Sequence, residues 1–122
     1  MTQIGNHIKM TLPLSLRARA QAFYQDILGS RPLESPLPTL DLYELAGGFV
    51  VGLSYVPDHQ AIPEADYLKT TWLELKVADP DGLTARLRAF GVTEVAYPDP
   101  SRFFFQAPGG QVFRVAPMDG GL

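Results

Sequence analysis

A strand-like alternation of apolar and polar residues opens each half of the chain. Between residues 7 and 12 every second residue is apolar, and the same pattern returns between residues 72 and 77. This period of two predicts two strands, each with one face in the core. The opposite faces carry polar and aromatic side chains: His7, Lys9 and Thr11 on the first strand, and Trp72, Glu74 and Lys76 on the second.

A helical spacing of apolar residues follows each strand. Ser15 is the predicted N-cap of the first helix, which should end at Gly29. Asp79 is the predicted N-cap of the second helix, because a proline follows it at the first helical position, and Gly91 should end that helix. The two apolar stripes consist of Ala20, Phe23, Tyr24, Ile27 and Leu28, and of Leu83, Leu87 and Phe90.

Glycines reveal an internal repeat. The glycines at positions 29, 47 and 48 recur 62 positions later, at 91, 109 and 110. Strand-like runs lie on both sides of each glycine pair, at 39–45 and 49–56 and again at 102–106 and 111–116, which predicts a hairpin in each half. We therefore predict a single α+β domain over residues 1–122, built from two tandem βαβββ modules (5–56 and 72–117) and a linker (57–71). The modules should form a curved mixed sheet with the helices on its convex side.

Composition excludes several classes of function. The chain has 122 residues and no cysteine, which rules out disulfides, cysteine-based metal centres and thiol nucleophiles. A net charge of −3 argues against a nucleic-acid partner, which requires a basic face. No apolar run is long enough for a membrane span or a signal peptide, so we expect no membrane partner and a cytoplasmic location.

The chain resembles the vicinal oxygen chelate superfamily, which includes glyoxalase I, extradiol dioxygenases and the bleomycin- and fosfomycin-resistance proteins. The end of the first helix, Phe-Tyr-x-x-x-Leu-Gly, is the most specific motif. The resemblance covers about residues 5–117. It is carried by the segments 6–10, 22–29, 75–79, 87–92 and 107–111, the last of which is similar to the family's acidic turn with its acids missing.

What the resemblance implies about a metal differs from position to position. Family enzymes hold a divalent metal with a histidine on the first strand, a histidine on the matching strand of the other half, and a glutamate near the last strand. His7 stands at the first position, whereas Trp72 and Arg114 stand at the other two, and Gly52 at the first-half counterpart of Arg114. The resemblance therefore implies no metal cofactor. An atypical divalent site of His7 with Glu74 and Glu44 stays open, with His59 in the linker as a further donor.

The polar face is the predicted ligand site. Strand parity places seven candidate ligand-binding residues there: His7, Lys9, Gly52, Trp72, Glu74, Phe104 and Arg114. One interpretation is an internal ion network, such as Glu74 with Arg114 or Lys9. The other is a pocket in which Trp72 stacks on a planar ring while a cation binds a carboxylate. Of Phe103, Phe104 and Phe105, only the middle ring should face this pocket.

Three functional hypotheses follow. The first is a metal-independent protein that binds an aromatic or anionic small molecule in a concave β pocket, as the drug-sequestering relatives do. The second is a divalent-metal lyase, isomerase or dioxygenase, in which Glu74 is the best candidate for the base. The third is a non-catalytic interaction module. Whether the protein is an enzyme stays open at this stage, and the resemblance implies a homodimer.

Overall fold

The structure is a computed structural model that describes residues 1–98 and 100–120. The chain divides into two compact units, of which the first ends at Ile62 and the second begins at Pro63. The last two residues of the predicted domain, Gly121 and Leu122, lie outside the described residues.

The first unit contains one four-stranded mixed sheet. The strand order is β1-β4-β3-β2, in which β1 runs parallel to β4 and the other neighbours are antiparallel. Its elements are β1 (His7–Pro13), a 3-10 turn (Leu14–Leu16), α1 (Arg17–Ala22), a π-helical turn (Phe23–Ile27), β2 (Arg31–Leu33), β3 (Leu40–Glu44), β4 (Val50–Val56) and a second 3-10 turn (Asp58–Gln60).

The second unit repeats this topology. Its strand order is β5-β8-β7-β6, again with one parallel pair, β5 and β8. The prediction of an α+β fold made of two βαβββ modules is therefore confirmed. The elements are a 3-10 turn (Glu64–Lys69), β5 (Trp72–Val77), α2 (Pro80–Phe90), β6 (Thr93–Val95), β7 (Phe103–Gln106) and β8 (Val112–Pro117).

Each helix packs on one face of its own sheet, as the alternation predicts. In the first unit, Met10 and Leu12 are buried, and the ring of Tyr24 stacks on that of Tyr43 with centroids 5.7 Å apart. In the second unit, Leu87 of α2 is fully buried, as are Phe105 and Phe113 on the neighbouring strands. The opposite face of each sheet therefore remains for the polar and aromatic positions.

The two predicted helix starts have different outcomes. Asp79 is the N-cap of α2, because its Oδ1 accepts a hydrogen bond from the Gly82 amide at 3.0 Å. The prediction for Ser15 is wrong, since a 3-10 turn precedes α1 and Leu16 occupies the cap position without a side-chain hydrogen bond. The backbone amide of Ser15 instead donates to Asp58 Oδ1 at 3.0 Å, so an acid distant in sequence binds this helix start.

The first helix also departs from a regular α-helix. After Ala22 it widens into a π-helical turn, in which the Leu28 amide donates to the Phe23 carbonyl five residues earlier at 3.0 Å. The predicted stop at Gly29 is present, with a φ of +67°.

The predicted linker carries structure of its own. Its second part folds with the second unit: Tyr67 is buried, and the Gln106 side-chain amide donates to the Glu64 carbonyl at 2.8 Å. None of the helices within residues 1–98 and 100–120 has the length and apolar character needed to cross a membrane.

Candidate functional site

The candidate site lies on the sheet face of the second unit that α2 leaves uncovered. Glu74 on β5 is the direct register partner of Arg114 on β8, and Arg114 is in turn the partner of Phe104 on β7. Because side chains in register share one face of a sheet, these three form a row across three strands. Trp72 and Lys76 lie two residues on either side of Glu74, and therefore on the same face.

Three charged groups meet on this face of the sheet. Arg114 Nη2 donates to Glu74 Oε2, and the other oxygen of that carboxylate is 3.9 Å from Lys76 Nζ. The side chains of Arg114 and Glu74 are only 12% and 22% exposed, whereas that of Lys76 is 43% exposed and also donates to the Gly120 carbonyl. One carboxylate thus lies between two cations, which leaves the trio with a formal charge of +1.

Aromatic rings adjoin the charged groups. The Arg114 guanidinium carbon is 4.5 Å from the centroid of the Trp72 ring, within the range of a cation–π contact. Trp72 meets Phe104 edge-on at 5.7 Å, and Tyr97 stacks on the same phenylalanine at 4.3 Å. Phe104 is buried, whereas Trp72 and Tyr97 are 38% and 36% exposed, so the two outer rings offer planar surface to a ligand.

Tyr97 was not predicted from the sequence. It lies beyond β6, in a proline-containing loop whose conformation no periodicity reveals. Strand parity was one available signal. Tyr97 lies two residues after Val95, so in an extended chain it shares a sheet face with Val95 and with the register partner of Val95, Phe104.

One donor of Arg114 has no partner. Its Nε is buried and makes no hydrogen bond among the described residues, although Nη2 of the same side chain binds Glu74. A buried polar atom without a partner costs free energy, so it marks a position where an acceptor would be stabilised. Guanidinium groups bind carboxylates best through two parallel N–H groups, and the contact with Glu74 uses one.

Three other predicted site residues lie together in the first unit. Lys9 is the register partner of Gly52, and His7 precedes it on the same face. A Cβ on Gly52 would be 3.2 Å from His7 Nε2, so the imidazole lies over the space that the glycine leaves. Lys9 Nζ donates to Thr11 Oγ1 at 3.3 Å. The predicted residues thus fall into two groups, and Lys9 is not the cation that pairs with Glu74.

At the three positions where the resemblance implies metal ligands, the chain carries one histidine, His7, together with Trp72 and Arg114. No group of three histidines, aspartates or glutamates that could hold a metal ion occurs within residues 1–98 and 100–120. The acids of the atypical site are bound elsewhere: Glu44 to Arg31 at 2.6 Å, and Glu74 to Arg114. His59 is exposed in a 3-10 turn. The residues present therefore do not fit a divalent metal.

Solved structures share this fold. A protein from Agrobacterium tumefaciens, determined by solution NMR, matches with a TM-score of 0.71 at 24% identity, over 98% of this chain and all of that chain. Glyoxalase I of Leishmania major, described as trypanothione-dependent, matches at 0.66 and 21%, over 95% of this chain and 87% of that one. A variant of the fosfomycin resistance protein FosX from Listeria monocytogenes, complexed with Mn(II) and dihydroxypropylphosphonic acid, matches at 0.68 and 16%, over 94% and 90%.

These likenesses establish the class of fold. The chain has the fold of glyoxalase I and the fosfomycin resistance proteins, which is that of the vicinal oxygen chelate superfamily, so the expectation from its motifs is confirmed at this level. No family model and no curated protein sequence matches the chain. At such identities the likeness defines architecture, and function has to be argued from the site.

Proposed function

We propose that this protein is a metal-independent small-molecule-binding protein whose ligand is a planar aromatic carboxylate. The ligand would lie on the sheet face formed by Trp72, Phe104, Tyr97 and Arg114. The observation that carries this proposal is the juxtaposition of two exposed aromatic rings with a half-buried arginine whose buried Nε has no partner among the described residues.

The aromatic rings support the planar part of the ligand. Trp72 and Tyr97 both pack against Phe104, which is itself buried, so their rings are already ordered. Stacking on rings that are already ordered costs little conformational entropy on binding. An arene that adds to either exposed face buries apolar surface in the arrangement that aromatic pairs prefer.

The local charge supports an anionic group on the ligand. The trio of Arg114, Lys76 and Glu74 carries a formal charge of +1, although the whole chain is acidic. A carboxylate is the group that a guanidinium fork binds with the greatest geometric specificity. Arginine also supports metal independence, because its fixed positive charge stands where the resemblance implies a metal-ligating glutamate.

Binding of two isosteric probes tests this proposal. Naphthalene-2-carboxylate and the neutral naphthalene-2-carboxamide would be titrated into protein treated with EDTA, by calorimetry and by the ¹H–¹⁵N spectrum. Trp72 is the only tryptophan, so its indole N–H gives a single assigned signal. We expect the carboxylate to bind about tenfold more tightly than the amide and to shift this signal.

A matched arginine provides the control. Arg88 also lies over an aromatic ring, that of Phe103 at 5.0 Å, and binds a glutamate, Glu94, at 3.0 Å, but on the opposite sheet face. Arg114→Gln should abolish the preference for the carboxylate, whereas Arg88→Gln should leave it unchanged. Binding that appears only after Mn²⁺, Zn²⁺ or Ni²⁺ is added would contradict metal independence and favour the enzyme hypothesis built on His7 and Glu74.

Self-association is part of the proposal. β1 is an edge strand of its own sheet, and an edge strand pairs with a second copy unless something covers it. The proposed homodimer would give twice the chain mass of 13.4 kDa in light scattering. A monomer mass at all concentrations tested would contradict it. A cytoplasmic location stays a prediction from the sequence.

A further inference from the structure

Glu74 occupies the position that the ligand's carboxylate would need. It is the register partner of Arg114, and its Oε2 accepts from the Nη2 of that guanidinium. The Trp72 ring covers a face of the same guanidinium. A carboxylate that binds Nε and Nη2 together therefore requires Glu74 to release Nη2, which makes this residue a competitor already present in the chain.

Glu74 has a second partner to which it can move. Lys76 Nζ is 3.9 Å from the oxygen that does not bind Arg114, and the two residues lie two positions apart on one face of β5. Lys76 is the more exposed of the two cations, so ion pairing there costs less desolvation. A displaced Glu74 would thus keep a counter-ion.

We propose that the ligand's carboxylate displaces Glu74 from Arg114 and that Lys76 takes up the released side chain. The proposal rests on the function proposed above and adds the basis of selectivity. Before binding, one carboxylate serves two cations. After binding, each cation has its own carboxylate, and the buried Nε of Arg114 gains the acceptor that it lacks. A neutral ligand cannot make this exchange, because it leaves Arg114 without a counter-ion.

Glutamate variants test the exchange with the same two probes. Glu74→Gln removes the competitor and should raise the affinity for naphthalene-2-carboxylate about five- to tenfold, with the carboxamide unchanged within about twofold. Glu74→Asp keeps the charge but shortens the reach to Arg114, so it should also raise carboxylate affinity, by about two- to threefold. A general effect of charge would instead leave Glu74→Asp like the wild type. The control is Glu94→Gln, which breaks the exposed pair with Arg88 and should change nothing.

A lysine variant keeps the test valid if the glutamate variants unfold. The Lys76 side chain is 43% exposed, so Lys76→Gln should fold normally. It removes the acceptor of the displaced carboxylate and should lower naphthalene-2-carboxylate affinity about threefold or more, with no effect on the carboxamide.

The outcomes separate this inference from the function on which it rests. If the carboxylate binds the wild type more tightly than the amide but the variants at 74 and 76 change neither affinity, the exchange is refuted while the proposed function stands. If neither probe binds the wild type, the proposed function fails and the exchange fails with it. Carboxylate affinity that falls in Glu74→Gln would also refute the exchange, because Glu74 would then be helping the ligand to bind.

Discussion

The ring of Tyr67 lies directly against the backbone of Gly110. A Cβ at position 110 would be 2.6 Å from Tyr67 Cδ2, and the φ of this glycine is +117°. The contact joins the 3-10 turn of residues 64–69 to the turn between β7 and β8. Any side chain at position 110 would therefore meet both an aromatic ring and a strained backbone.

Replacement of this glycine should reveal how much the contact contributes to stability. Gly110→Ala should lower the free energy of unfolding by about 2–4 kcal/mol, from backbone strain and overpacking together. Gly48 is the matched control, since it lies 62 positions earlier with a φ of +87° and nothing within 4 Å of its virtual Cβ. Gly48→Ala should cost only the strain, about 1–2 kcal/mol. Urea unfolding of both variants checks this, and equal losses would disprove the role of Tyr67.

The ion pair of Arg17 on α1 with Asp41 on β3 should contribute more to stability than the pair of Arg31 and Glu44 at the sheet edge. Asp41 accepts from Arg17 Nη2 at 2.7 Å and from its Nε at 3.3 Å, and also from Gln21. Asp41→Asn should lower the free energy of unfolding by about 1–2 kcal/mol, since the Asp41 side chain is 16% exposed. The pair of Arg31 and Glu44 is more exposed, at 69% and 33%. Glu44→Gln should therefore change stability by less than about 0.5 kcal/mol, and similar losses in thermal melts would contradict the distinction.

Asp58 should confer a dependence of stability on acid pH. Its hydrogen bonds with Ser15 hold the pKa of the Asp58 carboxyl below its ordinary value of 3.8. A group whose pKa is lowered by folding stabilises the protein above the unfolded pKa, and this contribution disappears as the pH falls through the folded value. Between about pH 5 and pH 2, Asp58→Asn should therefore lose stability less steeply than the wild type, as measured by urea unfolding. Parallel pH profiles for the two proteins would rule the contribution out.

Tyr55 should act at the opposite end of the pH scale. Burial raises the pKa of the Tyr55 hydroxyl above its ordinary value of 10.0, and the neighbouring Asp41 carboxylate adds to the effect. The folded state then holds this proton more tightly than the unfolded chain, so stability falls as the pH rises above the unfolded pKa. Tyr55→Phe cannot ionise, and its stability should fall less between about pH 9 and pH 11. Wild-type and variant curves that stay parallel in this range would contradict the prediction.

Local patterns were enough to predict the architecture. The alternation in residues 72–77 predicts β5 at its observed bounds, and Asp79 followed by proline predicts the start of α2. Both signals act over a few neighbouring residues, so sequence order alone contains them. The start of α1 could not be predicted, because the acid that binds Ser15 comes from residue 58. Such a contact depends on the fold and leaves no local pattern.

The candidate site shows the same division. Strand parity alone places Trp72, Glu74, Phe104 and Arg114 on one face, and their register confirms this placement. The position of Tyr97 depends on a loop, and the choice of Arg114 rather than Lys9 as the partner of Glu74 depends on strand pairing. Parity could therefore predict the face but not the pairs formed on it.

The repeat of one fold within the chain does not extend to the side chains on its polar faces. The matching register pairs differ between the modules: Glu74 pairs with Arg114 in the second, and Lys9 pairs with Gly52 in the first. The same topology therefore carries an ion pair at this place in the second module, and a lysine opposite a glycine in the first. A chain with the second module twice would keep the strand order but would carry the ion pair in both halves.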